Sequence, residues 1–228
     1  MQHCVITGGA DGIGRALVER CVQMGMHVTI VDRDAKRASS LLNALRSAGV
    51  PIHFLYADLA QEASISDVCL QLRSFPPVDL LIHSAGISAV GHFANSGLVQ
   101  QQAVLDVNLR APMLLTAGLL RLGRIAEGAT LVFIASLSVF SSYPGAAVYA
   151  ASKDGIAAYA RSLRVALAAR KINVLTVYPG PTRTAHARRY SPDNSREARR
   201  MPPEQLAGHI LIAIQRRDRR LFAPAGHR

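Results

Sequence analysis

The chain has 228 residues, of which half are hydrophobic and 18% are charged. This composition supports a substantial core and excludes a disordered or collagen-like polymer. The formal net charge is +11, and residues 181–228 contribute strongly to it, with eleven arginines against four acidic residues. A solvated Arg-rich surface accounts for such a charge, and an acidic partner is the alternative.

Neither a membrane span nor a metal site is expected. The longest apolar runs, such as Thr130–Ala135, are far shorter than the roughly 20 residues of a membrane helix. The first residues lack the features of a signal peptide, so we expect a cytoplasmic protein. Cys4, Cys21 and Cys69 show neither C-x-x-C spacing nor a nearby histidine cluster, which favours free thiols and no metal.

Apolar strand-like runs alternate with longer helical patterns, as in βαβ units that feed a parallel sheet. The predicted strands are Gln2–Thr7, His27–Val31, Ile52–Ala57, Asp79–His83, Ala129–Ala135, Ile172–Tyr178 and Arg219–Phe222. The predicted helices are Ile13–Met24, Ala35–Ala48, Ser64–Ser74, Val99–Leu122, Ala147–Arg170 and Pro203–Arg216. Most strand interiors are continuously apolar, as is typical of strands buried on both faces.

These elements predict an α/β fold with one domain over residues 1–228. It is a Rossmann fold, a doubly wound seven-stranded parallel sheet with helices on both faces. The only long irregular segment is Pro179–Pro202, which we call the 179–202 segment and expect to form a lid over a substrate.

A glycine-rich turn, Thr7–Gly14, joins the first predicted strand to the first predicted helix. Glycines let the backbone approach a pyrophosphate, and the N–H groups at the helix start attract its negative charge. Asp32 follows about 20 residues later, where a carboxylate accepts hydrogen bonds from ribose hydroxyls and repels a 2′-phosphate. Arg33 could instead pair with that phosphate, whereas Asp11 adds a further negative charge. The pattern favours NAD(H) over NADP(H).

Tyr149 and Lys153 lie one helical turn apart, so both side chains project from one face of the same predicted helix. A free phenol titrates near ~10, too high for ready proton exchange at neutral pH. A neighbouring ammonium favours the phenolate and lowers that pKa. The pair therefore indicates a tyrosine that acts as a general acid or base.

Together, the glycine turn and this pair make the chain resemble the short-chain dehydrogenase/reductase family along nearly its whole length. Its motifs occur in the family order as Thr7–Gly14, Asp58-Leu59, Ser84-Ala85-Gly86, Asn108, Ser136, Tyr149 with Lys153, and Pro179-Gly180. The resemblance implies an oxidoreductase acting on CH–OH donors, a ketone or aldehyde and its alcohol being interconverted.

The resemblance also implies the roles of individual residues. The implied catalytic residues are Asn108, Ser136, Tyr149 and Lys153. The implied cofactor contacts are Thr7, Gly8, Asp11, Gly12, Ile13, Gly14, Asp32, Arg33, Asp58, Leu59, Ser84, Ala85, Gly86, Tyr149, Lys153, Pro179, Gly180, Thr182 and Thr184. Thr184 matches the family pattern, and Thr182 is the other candidate for the same contact. His83 departs from the family, which usually has Asn there, and we expect it to alter local stability and to have no catalytic role.

The substrate is less defined by the sequence than the cofactor. Expected pocket positions are Ser88, Ser138, Tyr143, Pro181 and His186–Tyr190. The segment that we expect to cover the substrate also contains a cluster of arginines, namely Arg188, Arg189, Arg196, Arg199 and Arg200. They are consistent with a carboxylated, phosphorylated or carrier-protein-bound acyl substrate, and equally with exposed surface charge. The resemblance implies a homodimer or homotetramer.

Two functions from other classes fit the sequence less well. A catalytically silent dinucleotide-sensing protein would keep the fold without turnover, but it has no chemical need for the full catalytic set. Nucleic-acid binding through the basic C-terminal region finds little support, because that region has few aromatic residues and no recognisable binding motif. We therefore expect neither a nucleic-acid nor a membrane partner.

Overall fold

The structure, a computed structural model, describes residues 1–91, 97–140, 145–191 and 193–224. Its strands are β1 His3–Thr7, β2 His27–Asp32, β3 Ile52–Tyr56, β4 Val78–His83, β5 Ile125–Ile134, β6 Asn173–Pro179 and β7 Arg220–Ala223. Its α-helices are α1 Gly12–Gln23, α2 Ala35–Ala44, α3 Glu62–Gln71, α4 Leu98–Leu105, α5 Ala111–Arg121, α6 Ala147–Ala166, α7 Ala185–Tyr190 and α8 Pro203–Gln215. Tyr143, an expected pocket position, lies outside the described residues.

All strand pairs are parallel, in the order β3-β2-β1-β4-β5-β6-β7. The winding direction reverses between β1 and β4, which opens a crevice at the carboxyl ends of these strands. The predicted single-domain Rossmann fold is confirmed.

Helices cover both faces of the sheet because neighbouring strand residues point to opposite sides. In β1, Val5 packs into the core layer that contains α3, α5 and α6, whereas Ile6 packs into the layer that contains α1, α2 and α8. Both side chains are fully buried. This double burial explains why the strands read as continuous apolar runs.

Two predicted elements differ from the structure. The predicted helix Val99–Leu122 is interrupted by a π-helical turn, Asp106–Arg110, between α4 and α5. The 179–202 segment is not irregular throughout, because it contains α7 and a 3-10 turn, Glu197–Arg199. Thr184 caps α7 by accepting a hydrogen bond from Ala187 N at 3.0 Å, a local signal that a helix begins there.

Within the described part of the chain, one helical stretch, Leu98–Arg121, is long and apolar enough to cross a membrane by length and composition. Half of its most apolar window is buried inside the protein. Leu115 and Leu119 pack in the core layer beside the sheet. Helices in the cores of soluble proteins also reach this length and composition, so we interpret this stretch as a core helix.

Candidate active site

The glycine turn brings the end of β1 against the backbone of its neighbours. Gly8 has a φ of 67°, and a Cβ added there would lie 2.7 Å from Ala85 Cα. A Cβ at Gly14 would collide with the carbonyl oxygen of Gly8. Thr7 fixes the same junction, because its Oγ1 accepts a hydrogen bond from Ala85 N at 3.2 Å. Only glycine therefore fits where α1 starts at the crevice.

Asp32 closes the far end of the crevice. Its Oδ2 accepts a hydrogen bond from Ala10 N and its Oδ1 accepts one from Asp34 N, both at 3.0 Å. These bonds tie the end of β2 to the glycine turn and to the start of α2. Two backbone N–H groups thus hold the carboxylate at the edge of the crevice.

Two arginines near Asp32 each lie close to one or two carboxylates. Arg37 Nη1 lies 3.0 Å from Asp11 Oδ2, and its Nε lies 3.6 Å from Asp34 Oδ2. Arg33 Nη1 lies 3.9 Å from Asp58 Oδ1. Arg37 was not predicted from the sequence, although its place three residues after Asp34 on a helix was a usable signal.

Tyr149, Lys153 and Ser136 meet at the carboxyl end of β5. Lys153 is buried, its Nζ donates a hydrogen bond to Ile134 O at 2.8 Å, and it lies 5.8 Å from the centre of the Tyr149 ring. Burial lowers the pKa of the Lys153 ammonium to about 8. Ser136 Oγ accepts a hydrogen bond from Ser138 N at 3.1 Å. A phenol, an ammonium and a hydroxyl therefore border one space.

Asn108 lies behind this group, on the π-helical turn. Its Oδ1 accepts from Ile87 N at 2.8 Å, and its Nδ2 donates to Ile87 O at 2.9 Å and to Ser152 Oγ at 3.1 Å. A Cβ at Gly86 would lie 3.3 Å from Lys153 Nζ and 3.5 Å from Asn108 Oδ1. Asn108 therefore joins the loop after β4 to α6 next to Lys153. Ser152, its partner, was not identified from the sequence.

A large cleft of about 1190 Å³ collects most of the expected site residues. Those lining it are Gly8, Asp11, Gly12, Ile13, Asp32, Arg33, Asp58, Leu59, Ser84, Ala85, Gly86, Ser136, Tyr149, Lys153, Pro179, Gly180, Thr182 and Thr184. Thr7, Gly14 and Asn108 do not line it and act behind its wall. The expected pocket positions Ser88, Ser138 and Pro181 also line it.

The 179–202 segment forms the remaining wall. A Cβ at Gly12 would lie 3.3 Å from Thr184 Cγ2, so Thr184 contacts the glycine turn. Thr182 Oγ1 instead donates a hydrogen bond to Gly180 O at 3.1 Å. His186 lies 6.2 Å from Tyr149 between ring centres, and burial lowers the pKa of its imidazole to about 4. Arg188 does not line the cleft, contrary to its expected position, because it pairs with Glu197 at 2.7 Å.

The cleft fits a dinucleotide by shape and by chemistry. Its volume suits an extended ligand, and the glycine turn leaves the start of α1 open to a pyrophosphate. Within the described ranges, no group of three or more His, Cys, Asp or Glu residues is arranged to hold a metal ion. The groups lining the cleft that can act on a substrate include the phenol of Tyr149, the hydroxyl of Ser136 and the ammonium of Lys153.

Comparison with known proteins agrees with this geometry. The family model for short chain dehydrogenases matches residues 2–195. The chain is 29% identical to an uncharacterized oxidoreductase of Thermotoga maritima over 88% of this chain and 79% of that protein. It is 30% identical to a 3-oxoacyl-(acyl-carrier-protein) reductase of Aquifex aeolicus over 77% of this chain and 72% of that protein.

A solved structure is similar over nearly the whole chain. It is a short-chain dehydrogenase from Sphingobium yanoikuyae in complex with NADPH, with 27% identity and a TM-score of 0.88, covering 97% of this chain and 87% of that one. Because that similar protein was solved with NADPH, the comparison does not support a preference of this chain for NAD(H). The preference stays a prediction. The chain belongs to the short-chain dehydrogenase family, whose members are NAD(P)(H)-using oxidoreductases.

Proposed function

We propose that this protein is an NAD(H)-dependent oxidoreductase that interconverts a ketone or aldehyde and an alcohol, with Tyr149 as the general acid and base. The observation that carries the proposal is the meeting of Tyr149, Lys153 and Ser136 in the cleft that begins at the glycine turn. When bound, the nicotinamide cofactor supplies or accepts the hydride.

Each polar group of the site has a distinct task in this proposal. In reduction, the Ser136 and Tyr149 hydroxyls donate hydrogen bonds to the substrate oxygen, and Tyr149 then gives up its proton to that oxygen. Lys153 stays charged below its pKa of about 8 and favours the phenolate form of Tyr149. Asn108 acts through position, since it fixes the loop after β4 against α6. Oxidation follows the same path in reverse.

Turnover of ketones and secondary alcohols, followed at 340 nm, tests the role of Tyr149. We expect Tyr149→Phe to lose about a hundredfold to ten-thousandfold in kcat, because general acid–base catalysis contributes that much. Dinucleotide binding should persist. Tyr159→Phe is the matched control, since it removes a hydroxyl from the same helix but beside the core residue Phe133. Unchanged turnover in Tyr149→Phe would contradict the proposal.

The preference for NAD(H) rests on the charges around Asp32. The adenosine end is lined by four carboxylates, those of Asp11, Asp32, Asp34 and Asp58. Among the described residues that line this end, the only cations are Arg33 and Arg37. A 2′-phosphate would have to draw these arginines away from carboxylates that already hold them. Ribose hydroxyls meet no such competition, which favours the cofactor without the phosphate.

Fluorescence titration with NADH and NADPH measures this preference. The double variant Asp11→Asn/Asp34→Asn releases Arg37, while Asn retains the capacity to cap α1 and α2. We expect the ratio of the two dissociation constants to shift toward NADPH by at least about tenfold, or ~1.4 kcal/mol. Glu19→Gln, which removes a charge outside the cleft, is the control. Tighter binding of NADPH than NADH by the unmodified protein would overturn the preference.

We further propose a cytoplasmic homo-oligomer in which the 179–202 segment covers the substrate. Cys4, Cys21 and Cys69 are free and buried, in keeping with a reducing compartment. Val99 on α4 and Val165 on α6 expose 84% and 80% of their surface, so a partner covering these helices would bury apolar area. Light scattering during size-exclusion chromatography distinguishes a monomer from the proposed dimer or tetramer.

A further inference from the structure

We propose that the cleft ends in an anion-binding subsite around Arg200, which accepts the carboxylate or phosphate of a small oxo or hydroxy substrate. The inference rests on the proposed oxidoreductase function and names the substrate class of the same site. Its basis is the charge, burial and hydrogen bonding of the arginines in the 179–202 segment.

The charged residues that line the cleft differ in sign between two parts of the chain. Those around Asp32, where we expect the adenosine, are mainly carboxylates. Those of the 179–202 segment include Arg189, Arg196, Arg199 and Arg200. Among the described lining residues of the 179–202 segment, the single acid is Asp193, whose Oδ1 and Oδ2 accept hydrogen bonds from Ser195 N and Oγ at 2.7 and 2.9 Å. An anionic substrate group is therefore favoured beside this segment.

Arg200 distinguishes this cluster from ordinary surface charge. Only 8% of the residue is exposed. Its Nη2 donates hydrogen bonds to Asp193 O at 2.9 Å and to Asn194 Oδ1 at 2.8 Å. Its Nη1 is buried and has no hydrogen-bond acceptor in the part of the chain that the structure describes. A buried guanidinium nitrogen without an acceptor has an unmet hydrogen-bonding requirement, which an anionic oxygen in the cleft would satisfy.

Arg188 provides the contrast within the same segment. It is exposed, pairs with Glu197 through both Nε and Nη2, and does not line the cleft. Arg200, by comparison, forms no salt bridge with any described carboxylate. The arginine in direct contact with a carboxylate is thus outside the cleft, and the one whose hydrogen-bonded partners are neutral borders it.

Aromatic rings connect Tyr149 with the arginines. The Tyr149 and His186 rings lie 6.2 Å apart, and the His186 and Tyr190 rings lie 4.8 Å apart. The Arg189 guanidinium carbon lies 5.4 Å from the Tyr190 ring centre. Because two rings separate the reacting oxygen from Arg189, the anionic group of the substrate should be several bonds from the carbonyl.

Kinetics with paired substrates tests the subsite. The pairs are pyruvate, 4-oxopentanoate and 6-oxoheptanoate, each with its methyl ester, and hydroxyacetone phosphate with hydroxyacetone. We expect kcat/KM for at least one longer acid, or for the phosphate, to exceed that of its neutral partner by about tenfold or more, the scale of one hydrogen bond to a charged group. Comparing the oxo acids with the phosphate shows whether the anionic group that the subsite accepts is a carboxylate or a phosphate.

Three variants locate the effect. Arg200→Gln should bring the acid-to-ester ratio to about one while the esters are turned over as before. Because Arg200 also holds its own segment, Arg189→Gln/Arg199→Gln is the second variant, and it alters exposed side chains only. Arg183→Gln is the matched control, since Arg183 is exposed and does not line the cleft. The same loss of ratio in the control would overturn the subsite.

Calorimetry of the protein–NAD⁺ complex with 6-oxoheptanoate, its methyl ester and hydroxyacetone phosphate gives a second reading independent of turnover. Tighter binding of either anion, removed in Arg200→Gln, supports the subsite. Equal binding of acid and ester, without binding of the phosphate, overturns it and leaves the oxidoreductase function intact if neutral ketones are turned over. Failure of the dinucleotide itself to bind would instead count against the proposed function.

Discussion

His83 gives the sharpest prediction about stability. It ends β4, is almost fully buried, stacks on Phe133 at 4.9 Å between ring centres, and shares a hydrogen bond with Thr116 Oγ1 at 2.8 Å. Burial lowers the pKa of its imidazole to about 3. The folded protein therefore holds a neutral ring at a pH where the unfolded chain binds a proton.

The size and sign of the effect follow from linkage. An unfolded histidine has a pKa of about 6.5, so the fold loses no stability from His83 above that pH. As the pH falls from about 6.5 toward about 3, His83 binds a proton in the unfolded state but stays neutral in the folded state. At a pH of about 5 the cost is about 2 kcal/mol, since some thirty unfolded rings are charged for each neutral one.

Urea unfolding at pH 7.5 and pH 5, compared between the wild type and His83→Gln, measures this cost. Burial also lowers the pKa of His3, His27 and His186, and those groups act in both proteins and cancel in the comparison. We expect the loss of unfolding free energy between the two pH values to be about 2 kcal/mol smaller in the variant. An equal loss in both proteins would refute the reasoning.

Two further substitutions test the packing that supports the cleft. Gly118→Ala would place a Cβ 2.7 Å from Cys69 Sγ, so urea unfolding should report a loss of about 1–3 kcal/mol in the free energy of unfolding. Adding Cys69→Ala should relieve this loss, and a loss that persists in the double variant would contradict this cause. Arg164→Met removes hydrogen bonds to Val174 O and Arg219 O that link α6 with the sheet beside β7, so amide exchange in β7 should accelerate while β1 stays protected. Unchanged exchange in β7 would show that the arginine does not hold this edge strand.

Much of the fold could be predicted because its signals are local. Continuous apolar runs mark doubly buried strands, and the glycine turn follows directly on one of them. Tyr149 and Lys153 also belong to one helix, so their spacing fixes their common face. Features of this kind need no knowledge of what lies across the molecule.

Other features depend on contacts between distant parts of the chain. The π-helical turn presents Asn108 to Ile87 and Ser152, and neither partner is marked in the sequence. Arg188 and Arg200 look alike in an arginine-rich segment, yet one pairs with Glu197 outside the cleft and the other is buried beside it. Only the tertiary structure shows which of the two arginines contacts a carboxylate directly.

Binding of NADH tests the central claim most directly. The chain has no tryptophan, so enhancement of the cofactor's own emission can be followed without a tryptophan background. We expect saturable binding at one site per chain, abolished in Gly14→Ala, where the new Cβ would collide with Gly8 O. Gly208→Ala is the matched control, because nothing lies within 4 Å of a Cβ added there. Saturable binding lost only in Gly14→Ala would support a dinucleotide oxidoreductase, and an absence of binding by the folded wild type would contradict it.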